Sequence, residues 1–351
     1  MSARKRSSTI EMAGMGDNSS MSPAPLKFFA SAWFALVMGL TGLALAWHRA
    51  APVMGELAGS VAFVLACTAA AVFVALAAAY VARARRYPDA FREDFTHPVR
   101  HPFLAAIPVS VILLATAAVA ISGPTALANA AWWLGSVAQF AVTVWVVAKW
   151  WRGNQPGGLA WASLTPALFI PIVGNVLVPL AGVPLGHGDW SAAQFAIGAF
   201  FWPVVHVLIL VRLATQGSWP ERLQPAVFIF VAPPAVIGLA LVQFGAPAAL
   251  AWGAWGIALF SLVAALTQWR RIAALPFAIP HWALSFPLAA FAALTLRLAT
   301  PGSAMALLGI VVLAVASLAI LVLAVATAKG LRDGTLLAPE PVATLQSAPP
   351  G

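Results

Sequence analysis

Apolar runs of 18 or more residues recur along nearly the whole chain, separated by short segments rich in Pro, Gly and charged residues. Each run is long enough to cross about 30 Å of hydrocarbon as an α-helix. The pattern predicts an all-α membrane protein with ten transmembrane helices, at residues 28–48, 57–82, 101–122, 128–150, 161–182, 191–214, 225–243, 247–269, 278–298 and 304–328. These helices form one domain, 28–328. The flanking segments 1–27 and 329–351 are polar or Pro-rich and predict short disordered tails.

Helix breakers are concentrated in the odd-numbered predicted helices. They are Gly39 and Gly42 in the first, Pro108 in the third, Pro171 and Pro179 in the fifth, Pro233 and Pro234 in the seventh, and Pro287 in the ninth. Of the even helices, only the sixth contains an interior proline, Pro203. This recurrence indicates a helical hairpin repeated five times.

A proline in lipid leaves a backbone carbonyl without its helical partner, which is tolerated only inside the protein or beside a water-filled cavity. We therefore expect the odd helices to form an inner ring around a pore shaped by their Gly and Pro residues. The even helices would form an outer wall against lipid or neighbouring subunits. The alternative is that these prolines simply kink helices that pack on other helices.

Composition supports a membrane protein, because 62% of the residues are hydrophobic and only 8% are charged. No soluble catalytic domain fits into the remaining segments, and no G-x-S-x-G, P-loop or dinucleotide motif occurs. We therefore expect neither an enzyme nor catalytic residues. The one cysteine, Cys67, lies inside an apolar run, and we expect a buried, unreactive thiol.

The basic residues follow the predicted topology, so the net charge of +9 does not require a nucleic-acid partner. With both termini in the cytoplasm, 17 of the 19 Lys and Arg residues fall on the inside. The exceptions are Arg49 and Arg297, near the outer ends of the first and ninth helices. They predict either an outer mouth that attracts anions or anchors that reach lipid phosphates.

Polar residues inside the odd helices are few: Thr41, Ser110, Asn175 and Ser285 are the candidates to face a pore. No Asp or Glu lies at the centre of a predicted helix, which disfavours proton or cation coupling and favours anions. The histidines show no metal-ligand spacing, so we expect no metal and no cofactor. A membrane haem protein stays a third, less favoured hypothesis, which an absorbance spectrum would test.

Five segments together resemble the tellurite-resistance/dicarboxylate transporter family, which includes bacterial TehA-like proteins and plant slow-type anion channels. The segments are FFASAWFALVMGLTGLALAW, RRYPDAFREDFTHPVRHPF, LFIPIVGNVLVPLAGV, LQPAVFIFVAPPAVIG and HWALSFPLAAFA. The resemblance covers most of residues 28–328.

This resemblance implies five inner helices within five outer ones, a homotrimer with a pore in each subunit, and a bacterial inner-membrane location. It also implies a phenylalanine gate in the ninth helix, which here is Phe286, directly before Pro287. The expected function is passage of small anions through this pore. The alternative is an alternating-access carrier or exporter of C4-dicarboxylates such as malate, or of oxyanions such as sulfite or tellurite. The residues do not distinguish among these anions.

Overall fold

The computed structural model describes residues 25–337, apart from 154, 156 and 157. Within these residues, nine helices are long and apolar enough to cross a membrane, which confirms the all-α, multi-pass membrane fold. They are Ser31–Met54, Glu56–Arg86, His101–Ser122, Ala126–Trp150, Gly188–Gln216, Glu221–Gln243, Ala248–Leu266, Ile279–Leu298 and Ala304–Arg332. The fifth predicted helix is a shorter apolar helix, Pro166–Gly182. Counting it, we number ten spans in chain order.

The fifth span is shorter than predicted because its helix is divided. It consists of a 3-10 turn, Pro166–Leu168, and two α-helical pieces, Phe169–Leu177 and Pro179–Gly182. Pro179 has no N–H to donate to the carbonyl of Asn175, which instead accepts from the N–H of Val178 at 3.4 Å. Trp161–Ser163, which the prediction included, is a separate 3-10 turn.

Two short helices outside the spans were not predicted, Pro88–Thr96 and Trp269–Ala273. At the predicted tails, Pro25–Phe28 is a 3-10 turn and the last helix continues to Arg332, past its predicted end at residue 328. The remaining parts of the tails, 1–24 and 338–351, lie outside the described residues.

The odd spans are the buried ones, as predicted. Of the residues in the most apolar stretch of each span, 67% are buried in the first and in the third, 61% in the seventh and 83% in the ninth. In the fifth, every residue except Ile170 and Leu180 is buried. The even spans are only 11–33% buried, so they present apolar side chains outward. Burial therefore divides the ten spans into an inner and an outer set.

Each odd span packs against the even span that follows it, which gives five hairpins. The odd spans also pack on one another in chain order, first on third, third on fifth, fifth on seventh and seventh on ninth. The ninth span packs against the first, so the inner ring is closed. We call the end where the odd spans begin the basic end, and the other the opposite end.

Every odd span begins with a 3-10 segment and then continues as an α-helix. The 3-10 segments are Ser31–Phe34, His101–Ala105, Pro166–Leu168, Glu221–Val231 and Ile279–Leu284. Pro108, Pro171, Pro233 and Pro287 then fall in the first turn of the α-helical part. A proline is tolerated there because the first N–H groups of an α-helix have no partner within it. The prolines thus mark where the helix type changes, and they do not break long α-helices.

The expectation of a buried thiol is wrong. Cys67 is exposed, because it lies on the outward face of the second span, which belongs to the outer set.

Candidate functional site

A cavity of about 540 Å³ lies inside the ring of odd spans, and all five contribute to its lining. It is reached from the basic end, because segments that precede the odd spans line it there. Examples of such lining residues are Phe28, Glu93, Pro220 and Phe277. The cavity therefore extends from this end toward the centre of the ring.

In four of the odd spans, the cavity lining ends near the position where the span becomes α-helical; in the fifth span it continues to the end of the Phe169–Leu177 helix. The farthest residues that the odd spans contribute to its lining are Met38, Val109, Leu177, Pro233 and Pro287. Phe286 lines the cavity at this level and is 8% exposed. The closed end therefore has apolar walls and an aromatic ring, and none of these residues has a charged side chain.

The ring of Phe286 lies against a glycine of the first span. A Cβ added to Gly42 would be 2.9 Å from Cδ2 of Phe286 and 3.3 Å from Cβ of Ala289. One turn earlier, a Cβ added to Gly39 would be 2.6 Å from Cβ of Ser285. Both predicted glycines thus let the first span approach the ninth closely, which is how small residues act between membrane helices.

The predicted pore-shaping prolines fall into two groups. Pro233 and Pro287 line the cavity. Pro108 and Pro171 are buried and are not part of the lining, although Val109 and Ile170 beside them are.

The four predicted polar groups, Thr41, Ser110, Asn175 and Ser285, are fully buried, and none lines the cavity. Ser110 donates to the carbonyl of Ala106 and Ser285 to that of Trp282, both at 2.6 Å. The hydroxyl of Thr41 has no hydrogen-bond partner among the described residues.

Asn175 belongs to a hydrogen-bond network that surrounds the Pro171 carbonyl. Its Nδ2 donates to that carbonyl at 3.0 Å and to Oγ1 of Thr143 at 2.8 Å. Two side chains of the fourth span donate to the same carbonyl, Nε2 of Gln139 at 2.7 Å and Oγ1 of Thr143 at 2.6 Å. The network joins the fifth span to the fourth, so Asn175 has a visible packing role.

Arg49 and Arg297 both lie at the opposite end, away from the cavity. Arg49 is in the last turns of the first span and is half-buried, while Arg297 is near the end of the ninth span and is exposed. They are close enough for their charges to interact. The structure thus places at one end the two cations that the sequence assigned either to an outer mouth or to lipid anchors.

Several polar lining residues were not among the predicted candidates: Ser31, Glu93, His97, Arg100, Thr165, Arg222 and Thr335. Ser31 and Thr165 lie near the start of predicted inner helices, and Arg222 was counted only as a topological charge. Hydroxyl residues at the start of an inner helix were the signal available in the sequence.

A buried ion pair holds the wall of the cavity at the basic end. Arg83 of the second span pairs with Asp94 of the Pro88–Thr96 helix, and both side chains are almost completely buried. Arg83 also donates to the carbonyls of Lys27 at 3.0 Å and Ala90 at 2.8 Å. Three segments therefore meet at this one guanidinium, next to the segment from Glu93 to Phe103 that lines the cavity.

In the described part of the chain, no three His, Cys, Asp or Glu side chains are grouped closely enough to hold a metal ion.

Ten helices in five hairpins, with a cavity inside the inner ring, define a multi-pass α-helical membrane protein built around an internal cavity. The family model for the voltage-dependent anion channel, SLAC1, matches residues 28–328, and the chain belongs to this family. The family resemblance noted in the sequence is thereby confirmed. The family comprises anion channels and transporters.

The individual relatives are distant. The chain is 27% identical over 272 residues to the S-type anion channel SLAH2 of Arabidopsis thaliana, a match that covers 75% of this chain and 51% of SLAH2. It is 26% identical over 273 residues to the tellurite resistance protein TehA homolog of Haemophilus influenzae, covering 77% of this chain and 80% of that protein. The chain thus spans about half the length of the plant relative and most of the bacterial one.

Proposed function

We propose that the chain passes small anions across a membrane through a pore formed by the five odd spans, with Phe286 as the gate. The cavity that closes at Phe286 is the observation that carries this proposal. An aromatic ring at the narrow end of an apolar passage obstructs water and ions without adding charge. Because Gly42 has no side chain, the ring has a flat surface to rest on.

Charge along the passage supports anions. Arg222 and Arg100 line the cavity near the basic end, while Glu93, a carboxylate of the same lining, lies 3.5 Å from Arg100 as an ion pair. At the opposite end, Arg49 and Arg297 would raise the local anion concentration. Cations thus flank the passage at both ends.

The proposed setting is the inner membrane of a bacterium, with both termini in the cytoplasm and a homotrimer with one pore in each subunit. The apolar outer faces of the even spans suit contact with lipid or with neighbouring subunits. Thr41, Ser110, Asn175 and Ser285 are proposed to support the shape of the pore from behind its wall. No cofactor takes part in this mechanism.

The second candidate is an alternating-access carrier or exporter of C4-dicarboxylates or of oxyanions such as sulfite or tellurite. A cavity reached from one end and closed at the other also suits one state of such a carrier. The name of the Haemophilus influenzae relative, a tellurite resistance protein, is consistent with oxyanion transport.

Phe286→Ala tests the gate. In liposomes loaded with chloride, nitrate, malate, sulfite or tellurite, we expect this variant to raise anion flux several-fold. Phe291→Ala is the matched control, because Phe291 is buried on the same helix, stacks on Trp255 and does not line the cavity. Saturable flux that Phe286→Ala leaves unchanged would instead favour the carrier.

A further inference from the structure

Two hydroxyl groups in the cavity wall have no hydrogen-bond partner within the described part of the chain. Ser31 and Thr165 both line the cavity and are only 1% and 3% exposed. Neither side-chain oxygen has a hydrogen-bond partner among the described residues. Buried hydroxyl groups are nearly always hydrogen-bonded, and an unmade bond is costly. Thr335, also in the lining, shows the usual situation, because its hydroxyl donates to the carbonyl of Gly330 at 3.3 Å.

The two hydroxyls belong to segments of the wall that share a neighbour. Ser31 begins the 3-10 turn of the first span, and Thr165 directly precedes that of the fifth. Both turns pack against the 3-10 turn His101–Ala105 of the third span. Both hydroxyls therefore lie near the starts of the odd spans, on the way from the basic end to Phe286.

The charges around this part of the wall favour an anion. Arg222 lines the cavity and has no hydrogen bond or ion pair within the described chain. The carboxylate of Glu93 is offset by Arg100, 3.5 Å away. A cation would therefore meet net repulsion, whereas an anion would meet an unpaired guanidinium and two hydroxyl donors.

We infer that Ser31 and Thr165 form a binding site for a small anion of single charge, with Arg222 drawing the anion in from the basic end. Single charge follows from the surroundings, because the cost of removing an ion from water rises with the square of its charge. A dianion would need a second unpaired cation beside these hydroxyls. The site rests on the proposed function, since it loads the pore ahead of Phe286.

Chloride binding tests the site independently of conduction. We expect the purified full chain to broaden the ³⁵Cl resonance of added chloride, with nitrate competing and sulfate competing far less. Ser31→Ala and Thr165→Val should each weaken this binding about tenfold, the loss typical of one hydrogen bond to a charged group. The controls are Ser261→Ala and Thr116→Val, whose hydroxyls donate to helix carbonyls at 2.8 Å and do not line the cavity.

The same two substitutions, placed in the Phe286→Ala background, should raise the half-saturating chloride concentration of flux in liposomes. Unchanged binding and unchanged flux in both hydroxyl variants would overturn the site and mean that water alone occupies it. Absence of anion flux in every variant that carries Phe286→Ala would overturn the proposed function. The chloride-binding titration would still show whether Ser31 and Thr165 bind an anion.

Arg222→Gln should slow flux at low ionic strength, and the difference should disappear at high salt because the charge is screened. Arg270→Gln is the control, an exposed arginine that is not part of the lining. An equal effect of both substitutions would contradict the role of Arg222.

Discussion

At the scale of single residues, Phe286 and Gly42 lie against each other. The sequence named both, Phe286 through the family resemblance and Gly42 as a breaker of the first span, but it did not connect them. The structure places the ring directly against the glycine, with the cavity on the other side of the ring. We therefore expect the size of residue 42 to set how far the ring can withdraw from the cavity.

Gly42→Ala should lower anion flux, because a Cβ 2.9 Å from the ring would push it toward the cavity. The double variant with Phe286→Ala should conduct like Phe286→Ala alone, since the obstructing ring is then gone. Flux assays on liposomes measure both. Gly253→Ala is the control, because its Cβ would point into open space. An additive loss of flux in the double variant would argue against this pairing.

At the scale of elements, the change from 3-10 to α-helix in every odd span was hidden from the sequence. A proline in a sequence indicates either a break inside a helix or the first turn of a new helix, and both explanations fit the same spacing of prolines. Only the structure of the odd spans shows which of the two applies. The Pro88–Thr96 helix was missed for a related reason: it is short and polar, and its place depends on the buried pairing of Asp94 with Arg83.

Asp94→Ala should destabilise the fold by about 3–5 kcal/mol, because it leaves the buried guanidinium of Arg83 without its counter-charge. Asp89→Ala, on the same short helix, removes only an exposed pair with Arg92 and should cost less than about 0.5 kcal/mol. Unfolding titrations in detergent compare the two. Equal losses of stability would show that the buried ion pair stabilises the fold no more than the exposed one.

At the scale of the whole molecule, the closed inner ring joins segments that are far apart in sequence. The first and ninth spans are neighbours, and residues as distant as Phe28 and Leu336 line one cavity. Such closure brings the basic segments together around the cavity entrance. The charge asymmetry read from the sequence therefore becomes a local concentration of cations at one end of the cavity.

The orientation can be tested in a Cys67→Ala background. Thr300→Cys, at the opposite end, should react with a membrane-impermeant maleimide added outside intact spheroplasts. Glu221→Cys, at the basic end, should react only after permeabilisation. Both positions are exposed, so access depends on the side of the membrane. The reverse labelling pattern would place the termini outside.

The sequence by itself determined the helical membrane fold, the odd and even classes of span, and the family. Each follows from a local signal: apolar length, the position of Gly and Pro, or a short motif. The fifth span shows the limit of such signals, because apolar length alone did not reveal the division at Pro179.

Only the tertiary structure decided which polar residues line the cavity. Asn175 was predicted to face a pore and instead bonds to Pro171 and Thr143, while Ser31 and Thr165 were overlooked and lie in the wall. The physical reason is that a polar residue in an apolar helix needs a partner. Whether that partner is a neighbouring helix or the contents of a cavity depends on which spans pack together.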